Sequence, residues 1–384
     1  MQPGAELTEH EVELVNVARR FAAKEILPRR AELDRAPTHS RELVDKFFET
    51  GLMSSFIPSS FGGADVGVHG VVLIAEELAS VCAGTSTSLM GSYLGVQPLA
   101  LFGSDAQKDR YLGEFCRKPT IVAFACTEPG AGSDLSAIRS AYKPTTGGFA
   151  LSGSKCFITN ASVADYVVVI ARREGTKGLK GLSAFVIARG QPGLSVGKPM
   201  QKMGQRAADT ADLYFDGVEV PAHALIGREG QGLEIVLGSL TRSRVAVAGG
   251  AVGIARGALQ YAFEYVKERR QFDKALVEFQ AIQFELAALW QQLEAARSLT
   301  RRAARLQDLG LPAVGQTCAA KDFAGRVAEQ VASRCIELLG GYGYSTEFPL
   351  EKMLRDAKLC VIFEGTSNLQ KMMIFNQLLK QREL

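Results

Sequence analysis

The feature that most constrains this chain is a texture that changes twice. From residue 8 to about 118 apolar residues recur at helical spacing, from about 119 to 225 they fall into short runs, and after Pro221 long helical periods return. The first third opens on Thr8-Glu9-His10-Glu11, a capping-box pattern leading into Leu14, Val15, Ala18, Phe21 and Ala22 at helical spacing. Ser40 opens RELVDKFFET, which Gly51 closes, and VVLIAEELASVCAG and DAQKDRYLGEFC repeat the helical signal. In the middle third TIVAFAC, GFALSG, KCFIT, DYVVVIA, LSAFVIA and TADLYF are separated by turn-forming Gly, Pro, Asn and Asp, which reads as strands. Four long periodic stretches follow, the third from about 313 to 339 and the fourth from about 347 onward. The expectation is an α+β chain: an N-terminal helical domain over 1–118, a central β domain over 119–225 and a C-terminal four-helix bundle over 226–384. No internal repeat of solenoid length interrupts this order.

Length agrees with that division, because 384 residues at about 150 per domain leave room for two or three domains. A hydrophobic share of 47% with 22% charged residues excludes a disordered or collagenous chain. Forty-four Lys and Arg against 41 Asp and Glu give a net charge of +3, too even for a dedicated nucleic-acid binder, so any anionic ligand must be met locally. The seven cysteines lie far apart without a CxxC and read as buried hydrophobes of a reducing compartment, with no disulfides expected. His10, His39, His69 and His223 never approach metal-ligand spacing, so no metal site is expected. No basic start precedes an apolar stretch, and no window approaches 18 apolar residues. The chain therefore reads as soluble and intracellular, without a membrane span.

Four segments have letters suited to chemistry, and each also has a bland reading. Thr127-Glu128-Pro129-Gly130-Ala131-Gly132-Ser133-Asp134 follows an apolar strand and is either a loop approaching a phosphate or heterocycle or a tight turn closed by Asp134. Lys155-Cys156-Phe157-Ile158-Thr159-Asn160 puts an aromatic and a hydroxyl two residues apart, on one side of a sheet, where they suit a flavin ring or simply a core and a surface. Arg269-Arg270-Gln271-Phe272-Asp273-Lys274 ends a long helix, where basic groups meet a pyrophosphate or complement the helix dipole. In the run from Gly340 to Gln370, Glu364 follows Cys360-Val361-Ile362-Phe363. It is either an exposed acid at a helix start or a base partly desolvated by apolar neighbours.

Taken together, TEPGAGSD, KCFITN, MGQR with the following DT, the ERRQF block, LLGGYGYSTEFPLEKMLRDAK and FEGTS cover nearly the whole chain. In this order they resemble the acyl-CoA dehydrogenase family, closest in texture to its medium-chain type. The resemblance implies a helical domain, a β-barrel-like domain and a four-helix bundle, assembled as a homotetramer or dimer, with FAD as cofactor. It implies that Thr127 and Thr159 bond the flavin ring, that Ser133 with Gly132 and neighbouring amides binds the pyrophosphate, and that Phe157 covers the ring. Phe124, Cys126 and Thr366 join the cofactor site by the same resemblance, while Arg269, Phe272 and Gly341 reach the FAD of a neighbouring subunit. Glu337 stands there where the medium-chain pattern has Gln, which sets a carboxylate near an anionic pyrophosphate unless it turns away or is paired.

The catalytic base implied is Glu364, taking an α proton while a hydride leaves the β carbon for flavin N5 and a trans-2-enoyl-CoA forms. Ser133, Arg244 and Gly365 are implied to meet the acyl-CoA substrate. Ser243 stands where some relatives carry the base, and it has no carboxylate; Thr241 replaces the Asp or Asn common near the pantetheine arm. Electrons are implied to pass to an electron-transferring flavoprotein, in the bacterial cytoplasm or the mitochondrial matrix. Two other readings stand beside this one: a dehydrogenase of a carrier-protein-bound acyl thioester, and a flavin-poor structural subunit.

Overall fold

The computed structural model describes residues 7–35 and 41–381. Helix α1 (Glu9–Phe21) starts as expected. Thr8 Oγ1 accepts from the Glu11 amide at 3.3 Å and the Glu11 carboxylate accepts from the Thr8 amide at 2.9 Å, which satisfies two N–H groups of the first turn. After α2 (Arg30–Arg35), α3 (Arg41–Glu49) supplies Phe47, on which Phe21 stacks with centroids 4.8 Å apart. Ser40, read as the signal opening α3, lies outside the described residues. Next come α4 (Gly67–Ala79), α5 (Ala83–Phe102) and α6 (Asp105–Arg117), the last with its own capping box between Ser104 and Gln107. The sequence reading does not place α5. Its residues are small or apolar on nearly every side, so no polar face marks a period, and Pro98 sits inside it.

The central strands are β1 (Val122–Ala125), β2 (Ala141–Thr145), β3 (Gly148–Thr159), β4 (Tyr166–Arg173), β5 (Leu182–Ala188), β6 (Leu194–Val196), β7 (Thr210–Pro221) and β8 (Leu225–Ile226). They form one mixed sheet in the order β6-β7-β3-β2-β4-β5-β8, with β1 parallel to β4. Among the described residues no pairing joins β6 to β8, so the sheet is an open path rather than a closed barrel. The β3–β7 register shifts between Lys155 and Ile158, a bulge that buries Lys155 and Cys156 in succession and turns Phe157 outward.

The last third holds α7 (Gly232–Glu268), α8 (Gln280–Asp308), α9 (Val314–Leu339), α10 (Leu350–Leu359) and α11 (Ser367–Gln381). The expected fourth helix is thus two helices, broken where Glu364 and Gly365 take φ of +52° and +97°. An 18-residue window of α7 reaches a mean hydropathy of 1.2, which the sequence reading missed, but 67% of it is buried and α7 is the core helix of the bundle. It lies close on α4. A Cβ at Gly253 would stand 2.4 Å from the Glu76 carbonyl, and one at Gly257 2.1 Å from that of Ser80. Between α7 and α8 the segment read as a helix end is a hairpin of β9 (Arg270–Gln271) and β10 (Lys274–Ala275), with Phe272 and Asp273 both at positive φ.

Candidate active site

The sheet, α5, α7 and the break between α10 and α11 meet around a cavity of about 840 Å³. Eleven of the residues implicated by sequence line it: Phe124, Cys126, Thr127, Gly132, Ser133, Phe157, Thr159, Arg244, Glu364, Gly365 and Thr366. On the sheet side, both readings of the TEPGAGSD segment hold at once. Asp134 Oδ1 accepts from the Ser136 amide at 2.9 Å, closing a turn, and the residues before it face the cavity.

A buried ion pair fixes this wall. Lys155 Nζ donates to the Cys126 carbonyl at 2.9 Å and to the Glu128 carboxylate at 2.8 Å, while the Cys156 amide donates to the Thr127 carbonyl at 2.9 Å. Burial works against ionising Glu128, but Lys155 and the amides of Arg139 and Ser140 outweigh it and hold its pKa below the usual carboxylate value. The strand bearing Phe157 and Thr159 is therefore tied to the loop bearing Thr127 and Ser133. Phe157, at φ +60°, leaves its ring 66% exposed against the cavity.

On the opposite wall the sequence FEGTS ends one helix and starts another. Thr366 Oγ1 accepts from the Leu369 amide at 3.3 Å, and the carbonyls that the break releases are taken up by side chains. Arg244 Nε donates to the Glu364 carbonyl at 2.8 Å, Lys321 Nζ to the Gly365 carbonyl at 2.7 Å, and Gln370 Nε2 to both. The Glu364 carboxylate is half-buried and accepts a short hydrogen bond from the hydroxyl of Ser243, a fully buried residue of α7. Burial pushes the Glu364 carboxyl above its ordinary value, with Ser243, Arg244 and Lys321 pulling the other way. Its amide donates to no protein acceptor among the described residues. Ser243, Lys321 and Gln370 are the site residues that sequence reasoning missed as partners of the base. No local pattern joins Ser243 to a residue 121 positions away.

Four residues that the resemblance assigns to FAD do not reach this cavity. Arg269, Glu337 and Gly341 line a separate, open hollow of about 520 Å³, where the Arg269 guanidinium lies 5.7 Å from the Tyr342 ring centroid. Phe272, at the hairpin tip, is 88% exposed. Glu337 is exposed and ion-paired with Arg334, which also holds Glu285 at 2.7 Å. That pairing lessens the charge conflict foreseen from sequence.

The cavity fits a flavin. It presents an exposed aromatic face at Phe157, and the hydroxyls of Thr127, Ser133 and Thr159 make no hydrogen bond to protein among the described residues. The Glu364 carboxyl, raised by burial, lines the same cavity as that wall, an arrangement suited to a base beside a flavin. Comparison with known proteins narrows this. Family models for the N-terminal, middle and C-terminal domains of acyl-CoA dehydrogenase match residues 8–119, 123–218 and 230–379. Cyclohex-1-ene-1-carbonyl-CoA dehydrogenase of Syntrophus aciditrophicus is 40% identical over 381 residues, covering 97% of this chain and 91% of that one. Butyryl-CoA dehydrogenase of Megasphaera elsdenii superposes with a TM-score of 0.95 at 36% identity, covering 98% of this chain and 100% of the other. A chain from a structure described as the electron transferring flavoprotein of Acidaminococcus fermentans gives 0.96 at 38%, with the same coverage. The chain belongs to the acyl-CoA dehydrogenase family. It is an FAD-binding oxidoreductase that oxidises acyl-CoA thioesters.

Proposed function

We propose that this enzyme desaturates a short-chain or alicyclic acyl-CoA between the α and β carbons, with Glu364 as the base, and yields a 2-enoyl-CoA. The observation that carries the reading is the Glu364 carboxylate, its pKa raised by burial, lining the same cavity as Phe157 and Thr159. Bound FAD, held by Thr127, Ser133, Phe157 and Thr159, supplies the acceptor for the β hydride. Glu364 takes the α proton at its carboxylate, and the hydroxyl of Ser243 orients that carboxylate. As the proton leaves, negative charge builds on the thioester oxygen, and the uncommitted amide of Glu364 is the donor suited to meet it. Arg244 holds the Glu364 carbonyl and so keeps the peptide that carries both base and donor in place.

The acyl class is supported by the names of the relatives, one acting on a butyryl and one on a cyclohexene-carbonyl thioester, rather than by the medium-chain texture of the motifs. Apolar Met90, Leu94, Val247 and Phe363 among the lining residues suit such a group. We further infer that electrons leave to an electron-transferring flavoprotein and that Arg269, Phe272 and Gly341 complete the FAD site of a neighbouring subunit. Anaerobic titration of the yellow protein with a panel of acyl-CoA thioesters tests the reading. Bleaching of the flavin band by butyryl-CoA or an alicyclic thioester is expected. Bleaching by carrier-protein thioesters alone would overturn the CoA assignment.

A further inference from the structure

Lys321, on α9, has its ammonium group fully buried and takes part in none of the ion pairs among the described residues. A buried cation without a carboxylate partner is costly, and it persists only where another group satisfies it. The hydrogen bond Lys321 makes is to the carbonyl of Gly365, at 2.7 Å, in the turn that carries Glu364. In that turn Glu364 stands at φ +52°, which local sterics disfavour for a residue with a Cβ and which surrounding contacts must hold, while Gly365 at φ +97° adopts its conformation freely.

We propose that Lys321 is a positioning residue for the base: by clamping the Gly365 carbonyl from α9 it fixes the left-handed turn that presents Glu364 to the cavity, and its charge favours the ionised carboxylate. The inference rests on Glu364 being the base. The charged and titratable groups around Lys321 are Arg244 from α7, Asp322 on α9, Cys360 after α10, and Glu364 itself. Burial pulls the Lys321 ammonium down to about 8, with Cys360 and Glu364 resisting, so it remains a cation at neutral pH. Asp322 is engaged by Arg326 at 2.8 Å. Arg244 and Gln370 grip the same two carbonyls, so removing Lys321 loosens the turn without releasing it.

The test uses the FAD-loaded enzyme with Lys321→Met, which removes the charge and keeps the volume, and Lys321→Arg, which keeps the charge. Lys321→Met is expected to lower kcat by about 10–100-fold with KM within about threefold, and to move the acid limb of the kcat profile to higher pH. Lys321→Arg is expected to restore most of both. Infrared difference titration of the Glu364 carboxyl, identified by its loss in Glu364→Gln, is expected to show the same upward movement. Unchanged kcat and profile in Lys321→Met overturn the inference, as does a loss that Arg does not rescue. If Lys321→Met fails to hold FAD, Lys321→Gln keeps an amide donor without the charge and is expected to move the acid limb to higher pH; an acid limb that stays in place overturns the inference. Glu364→Gln separates the two claims. If it retains turnover, the base assignment fails; if it is inactive while Lys321→Met behaves as wild type, the positioning role alone fails.

Discussion

Among single residues Glu364 stands out, because its carboxyl sits above its ordinary value where burial outweighs Ser243, Arg244 and Lys321. Between the ordinary carboxylate pKa and the raised one, the folded protein keeps a proton that the unfolded chain has released. Stability therefore falls as pH rises through that window, and the full penalty is present once Glu364 is ionised in both states. Glu364→Gln removes the penalty, so its melting temperature is expected to exceed that of the wild type at pH 8 and to match it near pH 4. Calorimetry at the two pH values checks this, and an unchanged difference would show that the carboxylate is not strained by burial. The letters FEGTS made Glu364 legible as a candidate base. Its partners were not legible, because Ser243 and Lys321 are ordinary residues of long helices until the fold brings them to the turn.

At the scale of elements, strand β3 and the loop after β1 act as one wall because Lys155 and Glu128 are buried together, Lys155 with no exposed surface. Glu128→Gln leaves the ammonium without its counter-charge and is expected to cost about 3–5 kcal/mol. Urea unfolding measures the loss, and flavin fluorescence should show weaker retention of FAD, since Thr127 and Thr159 lie on the two tied segments. A loss below about 1 kcal/mol, the worth of an ordinary surface pair, would contradict the role given to this pair. The capping boxes of α1 and α6 were readable because their signals are local. Helix α5 was not, since a helix buried on most sides carries no amphipathic period; the start of α11 was readable as one of two readings of Glu364, but the end of α10 was not, since the apolar run from Leu359 to Phe363 continues the helical pattern past it.

At the scale of the whole molecule, helices, sheet and bundle bring one set of residues to a single cavity and leave another, Arg269, Glu337 and Gly341, on a separate hollow. If that hollow receives the pyrophosphate end of a neighbour's FAD, loss of one charge-assisted contact in Arg269→Ala should weaken FAD binding by about 10–100-fold. Fluorescence titration of the apoprotein measures it, and an unchanged affinity would place the phosphates elsewhere. The three-part order was legible from texture alone, whereas the proposal that Arg269, Phe272 and Gly341 serve a neighbour's FAD rests on resemblance, because spacing says nothing about neighbouring chains. The most direct test of Glu364 as the base is a stopped-flow comparison of wild type and Glu364→Gln, both FAD-loaded, mixed anaerobically with butyryl-CoA or the saturated alicyclic thioester cyclohexanecarbonyl-CoA. Loss of a general base is expected to slow flavin bleaching by at least about 10²–10⁴-fold while substrate binding still perturbs the flavin spectrum. Bleaching of the variant at the wild-type rate would contradict the assignment of Glu364 as the base.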